Sequence, residues 1–400
     1  MLSLVDLKKK LLEEKILLNH SYKDIANEIG ISNASITNFI NFIDNANSNC
    51  SESNFDTVLN LTQRYFNKTG DILEIMKDYK KRIHRPNNLK MLLEFADEYQ
   101  EYDFLLEVIQ TSLRAKNDKL KAIATVYELI YKRNTKAIRS EEIRSQLSML
   151  KHGQPKEANI LLWILEAYIF YDLRDYHLLK YNLEVLDEIL PEANDDYVLK
   201  RYHLRKNELK MRYLLNCNKL QECRGIANHI INTTDNVRLV AHSLYTIGLS
   251  FMFESFSKCR EFLGRSQKLY SFIDHAASVK VINLYLTLCK CIHGIPVDLN
   301  VDEISELDNI YLNIKLNKRH KANRLLENYV NNHKNIEEEL PFLLFLKGLL
   351  EKNKDILWES YVRYIKQGDL FFANFPNIEL RKMGVTHYSF FNNQKEGVSV

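Results

Sequence analysis

Two observations on this 400-residue sequence predict an all-α fold. Apolar residues recur at spacings of three and four through most of the chain, which is the spacing of one helix face. Only 11 Gly and 6 Pro interrupt the pattern, too few for a β-rich fold with many tight turns. We expect an N-terminal helix-turn-helix, then a tetratricopeptide-like right-handed helical solenoid, and finally a C-terminal capping segment.

Charge and cysteine content exclude several classes of protein. The formal net charge of +3 is too small for a global field that would attract nucleic acid. The six Cys share no zinc-site spacing, so we expect reduced thiols, no metal and no other cofactor. No uncharged run approaches the ~18 residues of a membrane span, and the N-terminus does not resemble a signal peptide. These features predict a cytoplasmic protein with no membrane partner.

The first element with a specific pattern is YKDIANEIGISNASITNFI, residues 22–40. Ala26 is small where a second helix would cross close above it. Gly30 would end the first helix in a left-handed turn that other residues adopt only with strain. Ile36 then lies on the inner face of the second helix, and Ser21, with an acid three residues later, is the expected N-cap. This spacing is typical of a helix-turn-helix.

The outer face of that second helix carries short hydrogen-bonding side chains. In the major groove of double-stranded operator DNA, such side chains reach base edges. A purely structural helical hairpin is the alternative. The basic run Lys77–Lys90 is either a solvated helix end or a patch that contacts phosphate. The candidate DNA-binding residues are Lys23, Ser32, Asn33, Ser35, Thr37, Asn38 and Asn41.

Paired helices recur along the rest of the chain. Steps of 36 residues (Asn317 to Asn353) and 38 residues (Asn216 to Glu254) bracket the ~34 residues of a tetratricopeptide hairpin. Gly248 inside a strong helical pattern predicts a closely packed partner helix. Such a solenoid either binds an extended peptide on its inner surface or serves only as a scaffold. The expected breaks lie near residues 172–175, 216–219, 254–257, 317–318 and 352–354.

These patterns divide the chain into four expected parts. A helix-turn-helix domain covers residues 1–43, and a small, polar, periodless linker covers 44–54. The solenoid covers 55–384. The segment 385–400 holds the apolar cluster Tyr388–Phe391, which either caps the solenoid and contributes to a homodimer or only caps its own chain.

Several phrases resemble the arbitrium receptors of temperate bacillus phages, which belong to the tetratricopeptide-type peptide-sensing quorum regulators. They are IMKDY (75–79), LEFADEY (93–99), RLVAHSLYTIGLSFMF (238–253) and GDLFFANFPNIELRKMG (368–384). The resemblance implies a dimeric transcription factor in the bacterial host cell that activates a negative regulator of lysogeny. It also implies that a short signal peptide, an arbitrium hexapeptide encoded beside the receptor, binds the solenoid and abolishes activation.

A polar and aromatic face on one helix is the expected peptide site. Arg238, His242 and Tyr245 share that face, opposite the better apolar core. The resemblance assigns peptide contacts to Arg238 and Thr246, and it makes Asp369 the counter-ion of a peptide arginine. A helix cap is the alternative for Asp369. Arg212 replaces an amide expected in relatives, which leaves the peptide subtype open. The candidates are Asn207, Arg212, Arg238, His242, Tyr245, Thr246, Leu249, Asn309, Asn313 and Asp369.

The sequence gives no sign of an enzyme. It contains no Gly-rich phosphate loop, no nucleophile elbow and no HExxH motif. The competing interpretation is a tetratricopeptide-like adaptor that binds a partner protein under peptide control and uses its N-terminal helices only for packing. Capture of a protein without salt-sensitive DNA affinity would distinguish it.

Overall fold

The computed structural model describes residues 2–44, 52–150, 153–191, 196–297, 305–333 and 340–385. Every regular element in these ranges is an α-helix, which confirms the all-α prediction. The chain divides into two compact units, Met1–Ile169 with Asn182–Lys206, and Phe170–Tyr181 with Asn207–Val400. Our four-part division stays a prediction; most of its linker (45–51) and most of its C-terminal segment (386–400) lie outside the described residues.

The first half of the chain contains eleven helices in the described ranges. They are α1 (Leu4–Leu17), α2 (Tyr22–Glu28), α3 (Asn33–Asp44), α4 (Phe55–Tyr65), α5 (Thr69–Lys80), α6 (Pro86–Glu98), α7 (Tyr102–Arg114), α8 (Asp118–Asn134), α9 (Ser140–Leu150), α10 (Lys156–Asp172) and α11 (Tyr176–Ile189).

Ten more helices follow in the described part of the second half. They are α12 (Tyr197–Asn216), α13 (Leu220–Thr233), α14 (Val237–Ser250), α15 (Phe256–Phe272), α16 (Ala276–Ile292), α17 (Glu306–Lys315), α18 (Arg319–Asn332), α19 (Leu340–Glu351), α20 (Lys354–Gln367) and α21 (Asn374–Lys382). None of the described helices has an apolar stretch long enough to cross a bilayer.

The local features expected of the helix-turn-helix are present. Ser21 caps α2, because its hydroxyl accepts the Asp24 N–H while the Asp24 carboxylate accepts the Ser21 N–H. Gly30 has φ +70°, and the next N–H, of Ile31, bonds back to the Ala26 carbonyl at 2.9 Å. Ala26 is 1 % exposed beneath α3. The capping, turn and burial predictions are therefore confirmed.

The helical hairpins also appear, with one displaced boundary. The breaks after α10, α12, α17 and α19 lie where the pattern predicted them. The break after α14 covers residues 251–255, so it begins three residues before the predicted 254–257. Phe251 and Met252 are buried within the turn itself, and their apolar side chains had extended the apparent helix.

Many of the hairpin turns share one backbone geometry that residue type did not reveal. Asn218, Asn317 and Lys352 each adopt a left-handed φ between 53° and 59°. In each turn the next N–H bonds to the carbonyl five residues earlier, as from Asn353 to Gly348 at 3.0 Å. This bond satisfies a carbonyl at the helix end. A β-carbon on Gly248 would lie 2.7 Å from the Leu263 side chain, so the predicted close helix packing is confirmed.

Candidate functional site

Helix α3 presents its polar face outward. Six of the seven candidate DNA-binding residues are exposed, and Ser35 is half-buried. The inner positions Ile36 and Phe39 are fully buried. The Ser32 hydroxyl accepts the Ser35 N–H at 3.1 Å and so caps the helix start. The arrangement leaves Asn33, Thr37, Asn38 and Asn41 on the solvent side, and their contact with DNA stays a prediction.

The basic run Lys77–Lys90 is largely paired with acids. Lys77 lies 3.0 Å from Glu101, and Lys90 lies 2.7 Å from Glu157. Lys80, Lys81 and Arg82 also have carboxylates within 4 Å. Because these charges are mostly neutralised, the geometry favours the solvated helix end, and we assign no phosphate contact to this run.

A cavity of about 550 Å³ lies within the second unit. Three acids, Asp172, Asp308 and Asp369, line it together with one cation, Arg174. The remaining wall is mainly aromatic. It includes Tyr171, Tyr176, Tyr285, Tyr364, Phe342, Phe372 and Phe375. Excess acid beside aromatic faces suits a ligand that carries a positive charge.

Asp369 is held at the cavity wall by its own turn. It follows α20 and Gly368, whose φ of +77° lets the chain turn sharply. The Asp369 carboxylate accepts the Phe372 N–H at 3.1 Å, and the side chain is 4 % exposed. Burial raises the pKa of this carboxyl to about 6. Asp369 therefore caps a local turn and not a helix, since the N-cap of α21 is Ala373, and it also lines the cavity.

The neighbouring polar groups are fixed by side chains from other helices. The Asn216 amide donates to the Tyr176 hydroxyl at 2.7 Å. The backbone carbonyl of Asn216 accepts the N–H groups of Leu370 and Phe371 at 2.8 and 3.1 Å. These bonds place the turn after α20 against the end of α12. A β-carbon on Gly368 would lie 3.2 Å from the Tyr176 ring. These contacts give the acidic wall a defined shape.

A second polar group contains several predicted peptide contacts. Arg212 donates to Glu208 at 2.6 Å and to His242 Nε2 at 3.1 Å. Burial first, and then the Arg212 charge, lower the pKa of His242 to about 3, so the imidazole is neutral and accepts this bond. The Tyr245 ring centroid lies 5.8 Å from both His242 and Tyr285. Tyr285 lines the cavity, so this group borders it.

Other candidates are less accessible than the sequence suggested. Thr246 and Leu249 are 2 % and 4 % exposed, and Thr246 donates to the His242 carbonyl. Burial extends around α14 because α13 and α15 both pack against it. Asn313 is 1 % exposed and donates to Asn309 at 2.8 Å. Asn207, Asn309 and Arg238 are half-buried. Peptide contact by any of these residues stays a prediction.

A network of buried charges lies in the first unit. Arg205 donates to Glu94 at 2.9 Å and to Asp97 at 2.6 Å, and Arg201 pairs with Glu98 at 2.8 Å. The three acids are between 1 % and 9 % exposed. Tyr127, Asn134 and Tyr197 donate further bonds to these acids. We call these residues the Arg205 network.

Comparison with known proteins decides the family. The family of AimR transcriptional regulator-like proteins matches residues 72–382. The chain belongs to this family. It is 25 % identical over 323 residues to the AimR transcriptional regulator of Bacillus phage SPbeta, covering 78 % of this chain and 81 % of that protein. The uncharacterized SPbeta prophage-derived protein YopK of Bacillus subtilis (strain 168) has the same identity and coverage.

Further relatives give consistent results. The AimR transcriptional regulator of Bacillus phage phi3T is 23 % identical over 297 residues, 73 % of this chain and 76 % of that one. A solved structure of phAimR with ligand superposes with TM-score 0.71 at 20 % identity, covering 83 % of this chain and 98 % of the other. A solved structure of selenomethionine phAimR superposes with TM-score 0.68 at 20 % identity, covering 95 % of this chain and 97 % of the other. These structures share the helical solenoid fold.

The cavity lies wholly inside the residues matched by the AimR family, whereas α1, α2 and α3 precede them. Sequence reasoning found Asp369 but missed Asp308, Tyr176 and Tyr285. Asp308 follows Ser305 by three residues and accepts its hydroxyl, so its only local signal is a helix start. These two tyrosines are among 22 in the sequence, and only tertiary packing brings them together.

Proposed function

We propose that this AimR-family chain is a peptide-responsive, DNA-binding transcription regulator of the phage lysis–lysogeny decision. It binds operator DNA as a homodimer through α3 and activates a negative regulator of lysogeny. Activation is lost when a short signal peptide, an arbitrium hexapeptide encoded beside its gene, occupies the cavity of the second unit. We assign it no enzymatic activity and place it in the cytoplasm of the bacterial host.

The observation that carries this proposal is the acidic cavity inside the family-matched residues. Its volume of about 550 Å³ lies in the range of small-ligand sites. A cationic peptide side chain would pair with Asp369, whose carboxylate bonds to the uncharged Phe372 N–H and Asn216 amide and feels the charge of Arg174. Binding of a cation beside Asp369 would lower the pKa of that carboxyl and offset the free-energy cost of burying its charge.

Two arginines, Arg212 and Arg238, supply positive charge, opposite in sign to the acids of the cavity. The Arg212 guanidinium lies 5.2 Å from the ring centroid of Tyr171, a cavity residue. Arg238 lies one helical turn before His242 on α14. We assign these cations to the carbonyl or carboxylate oxygens of the peptide, because a guanidinium donates to two oxygens in one plane. A peptide with one cationic side chain would then have a single preferred direction in the site.

The DNA half of the proposal rests on α3 and its exposed amides. A duplex selected from a randomised library by the wild-type protein provides the probe. We expect its affinity to fall steeply with salt. Replacing Asn38 and Asn41 together by Ala should weaken binding about tenfold or more, since one good base contact contributes ~1–3 kcal/mol. Asn332→Ala, an exposed change on α18, is the matched control.

The peptide half is tested by thermal stabilisation. The cognate hexapeptide should raise the melting temperature of the wild type, because a ligand that binds only the folded state stabilises it. Arg238→Ala should remove that increase. Stabilisation that survives the substitution would place the peptide elsewhere, and capture of a partner protein with no salt-sensitive duplex binding would favour the adaptor.

A further inference from the structure

The three N-terminal helices are joined to α4 by a cluster of charges centred on Arg64. The Arg64 side chain donates to both carboxylate oxygens of Glu14 on α1, at 2.6 and 3.1 Å. It also donates to Glu28 on α2 at 2.6 Å. Tyr65 donates to Glu14 at 2.6 Å, and His20 Nδ1 lies 3.0 Å from the same carboxylate. We call these five residues the Arg64 cluster.

The geometry of the Arg64 cluster fixes angles as well as distances. A guanidinium that bonds both oxygens of one carboxylate holds the two groups in a common plane. Glu14 is 9 % exposed, and its bonds to Arg64, Tyr65 and His20 lower its pKa to about 2. The carboxylate is therefore ionised throughout the neutral range, and the bonds persist there. One planar side chain on α4 thus orients α1 and α2 together.

Other polar contacts tie the same helices to α4 and α5. The Asn60 amide of α4 donates to the Ile29 carbonyl at 3.4 Å. The Leu4 N–H donates to Asp78 of α5 at 3.1 Å. At the end of α3, the Phe42 ring meets Tyr79 edge-on at 6.1 Å. Apolar contacts alone allow helices to slide, whereas the two hydrogen bonds, from Asn60 and from Leu4, are directional and do not.

Stability by itself does not account for the Arg64 cluster. A buried ion pair is often no more stabilising than well-packed apolar side chains of the same volume, because desolvation offsets the attraction. A specified orientation is the role such groups serve in some proteins, since their bonds form in one geometry only. Helix α3 packs against both α1 and α4, so its orientation depends on how these two helices are held.

We propose that Arg64 is a positioning residue that sets the direction of α3 relative to α4, and thereby the spacing between the two recognition helices of a dimer. The inference rests on the proposed DNA-binding function. Arg64 itself makes no contact with DNA in this proposal. Its loss would leave α3 able to bind a half-site but free to adopt a range of directions.

The test uses the full-length protein and duplexes that carry two half-sites selected by the wild type. The distance between half-sites is changed by inserting or deleting 1, 2 or 3 base pairs, which also rotates one site about the DNA axis. For the wild type we expect affinity to fall about 30-fold or more across this series, because both helices must meet the groove at once. For Arg64→Gln we expect the series to flatten to within about threefold, with single half-site affinity unchanged.

Three variants separate positioning from general destabilisation. Arg64→Lys, which keeps one charge but loses the planar fork, should give an intermediate profile. Arg139→Gln is the matched control, since Arg139 is exposed, pairs with Glu142 of α9 at 2.9 Å and should keep the wild-type profile. Glu28→Gln removes one arm of the cluster at a half-exposed residue and decides the question if Arg64→Gln does not fold.

The outcomes distinguish the two proposals. A wild type that binds no selected duplex would overturn the DNA-binding function and this inference with it. A wild type with a steep spacing profile, matched by equally steep profiles for Arg64→Gln and Glu28→Gln, would overturn the inference alone. Affinity that drops by the same factor at every spacing would show a structural role only and would also contradict it.

Discussion

The Arg205 network and the cavity lined by Asp369 both bury ionisable side chains, but only the cavity leaves open volume for a ligand. In the Arg205 network, two arginines meet three acids, and neighbouring hydroxyl and amide groups donate to the same carboxylates. Around the cavity, three acids line about 550 Å³ with one arginine. A buried charge is therefore not by itself a sign of a ligand site. Excess charge of one sign beside open volume is the more specific sign.

The largest effect is expected from breaking the closed network. Arg205→Met leaves Glu94 and Asp97 buried without their main cation, so we expect the free energy of unfolding to fall by about 3–5 kcal/mol. Urea denaturation followed by circular dichroism measures it. Arg139→Met, which removes an exposed pair with Glu142, is the control and should change nothing measurable. An equally small effect for both would mean that the network is not structural.

The opposite result is expected at the cavity. Asp369→Asn should weaken cognate hexapeptide binding by about 10- to 100-fold, since a charge-assisted bond contributes ~1.5–3 kcal/mol. Unfolding free energy at pH 7 should stay the same or rise, because burial disfavours the ionised carboxyl. Calorimetric titration measures the affinity, with Asp355→Asn as an exposed control on α20. Unchanged affinity would move the peptide cation away from Asp369.

A pH series sharpens the same contrast. Burial raises the folded pKa of Asp369 to about 6, above its ordinary 3.8, so the cost of ionisation appears as pH rises through this window. In the proposed site, the peptide cation pairs with the ionised form of Asp369. We expect affinity to be about tenfold weaker at pH 5 than at pH 7, since roughly nine-tenths of the carboxyl is then protonated. In Asp369→Asn this difference should disappear.

The smallest effects come from one pair of matched substitutions. Tyr197→Phe removes a bond to Glu98 in the Arg205 network, and Tyr176→Phe removes the acceptor of Asn216 at the cavity wall. Each should cost about 0.5–1.5 kcal/mol. We expect the Tyr197 change to appear in unfolding and the Tyr176 change chiefly in peptide affinity. The reverse pattern would contradict the division between a structural network and a binding site.

Local patterns were sufficient for the framework of the fold. The Gly30 turn, the Ser21 cap and the close approach at Gly248 each depend on sterics within a few residues or on one missing β-carbon. Hairpin breaks followed from the same periodicity. The one displaced break, after α14, arose because apolar side chains filled a turn instead of a helix.

The site was less accessible to prediction because it is assembled from distant segments. Asp369 was predicted from a family resemblance, whereas no local sequence signal distinguishes Asp308 or Tyr285 as residues of the cavity. Burial of Thr246 and Leu249 could not be foreseen, since it depends on helices packing on both sides of α14. The Arg64 cluster joins positions 14, 28 and 64, and their pairing appears only once α1, α2 and α4 are folded together.

The most direct test of the whole account is a titration of the cognate hexapeptide into the wild-type protein bound to its selected duplex. Fluorescence anisotropy reports DNA affinity, and transcription from the linked promoter reports output. We predict that saturating peptide changes the DNA affinity or abolishes transcription from the promoter. The Asp369→Asn protein should require about 10- to 100-fold more peptide for the same response. Equal affinity and equal output with and without saturating peptide would contradict the account.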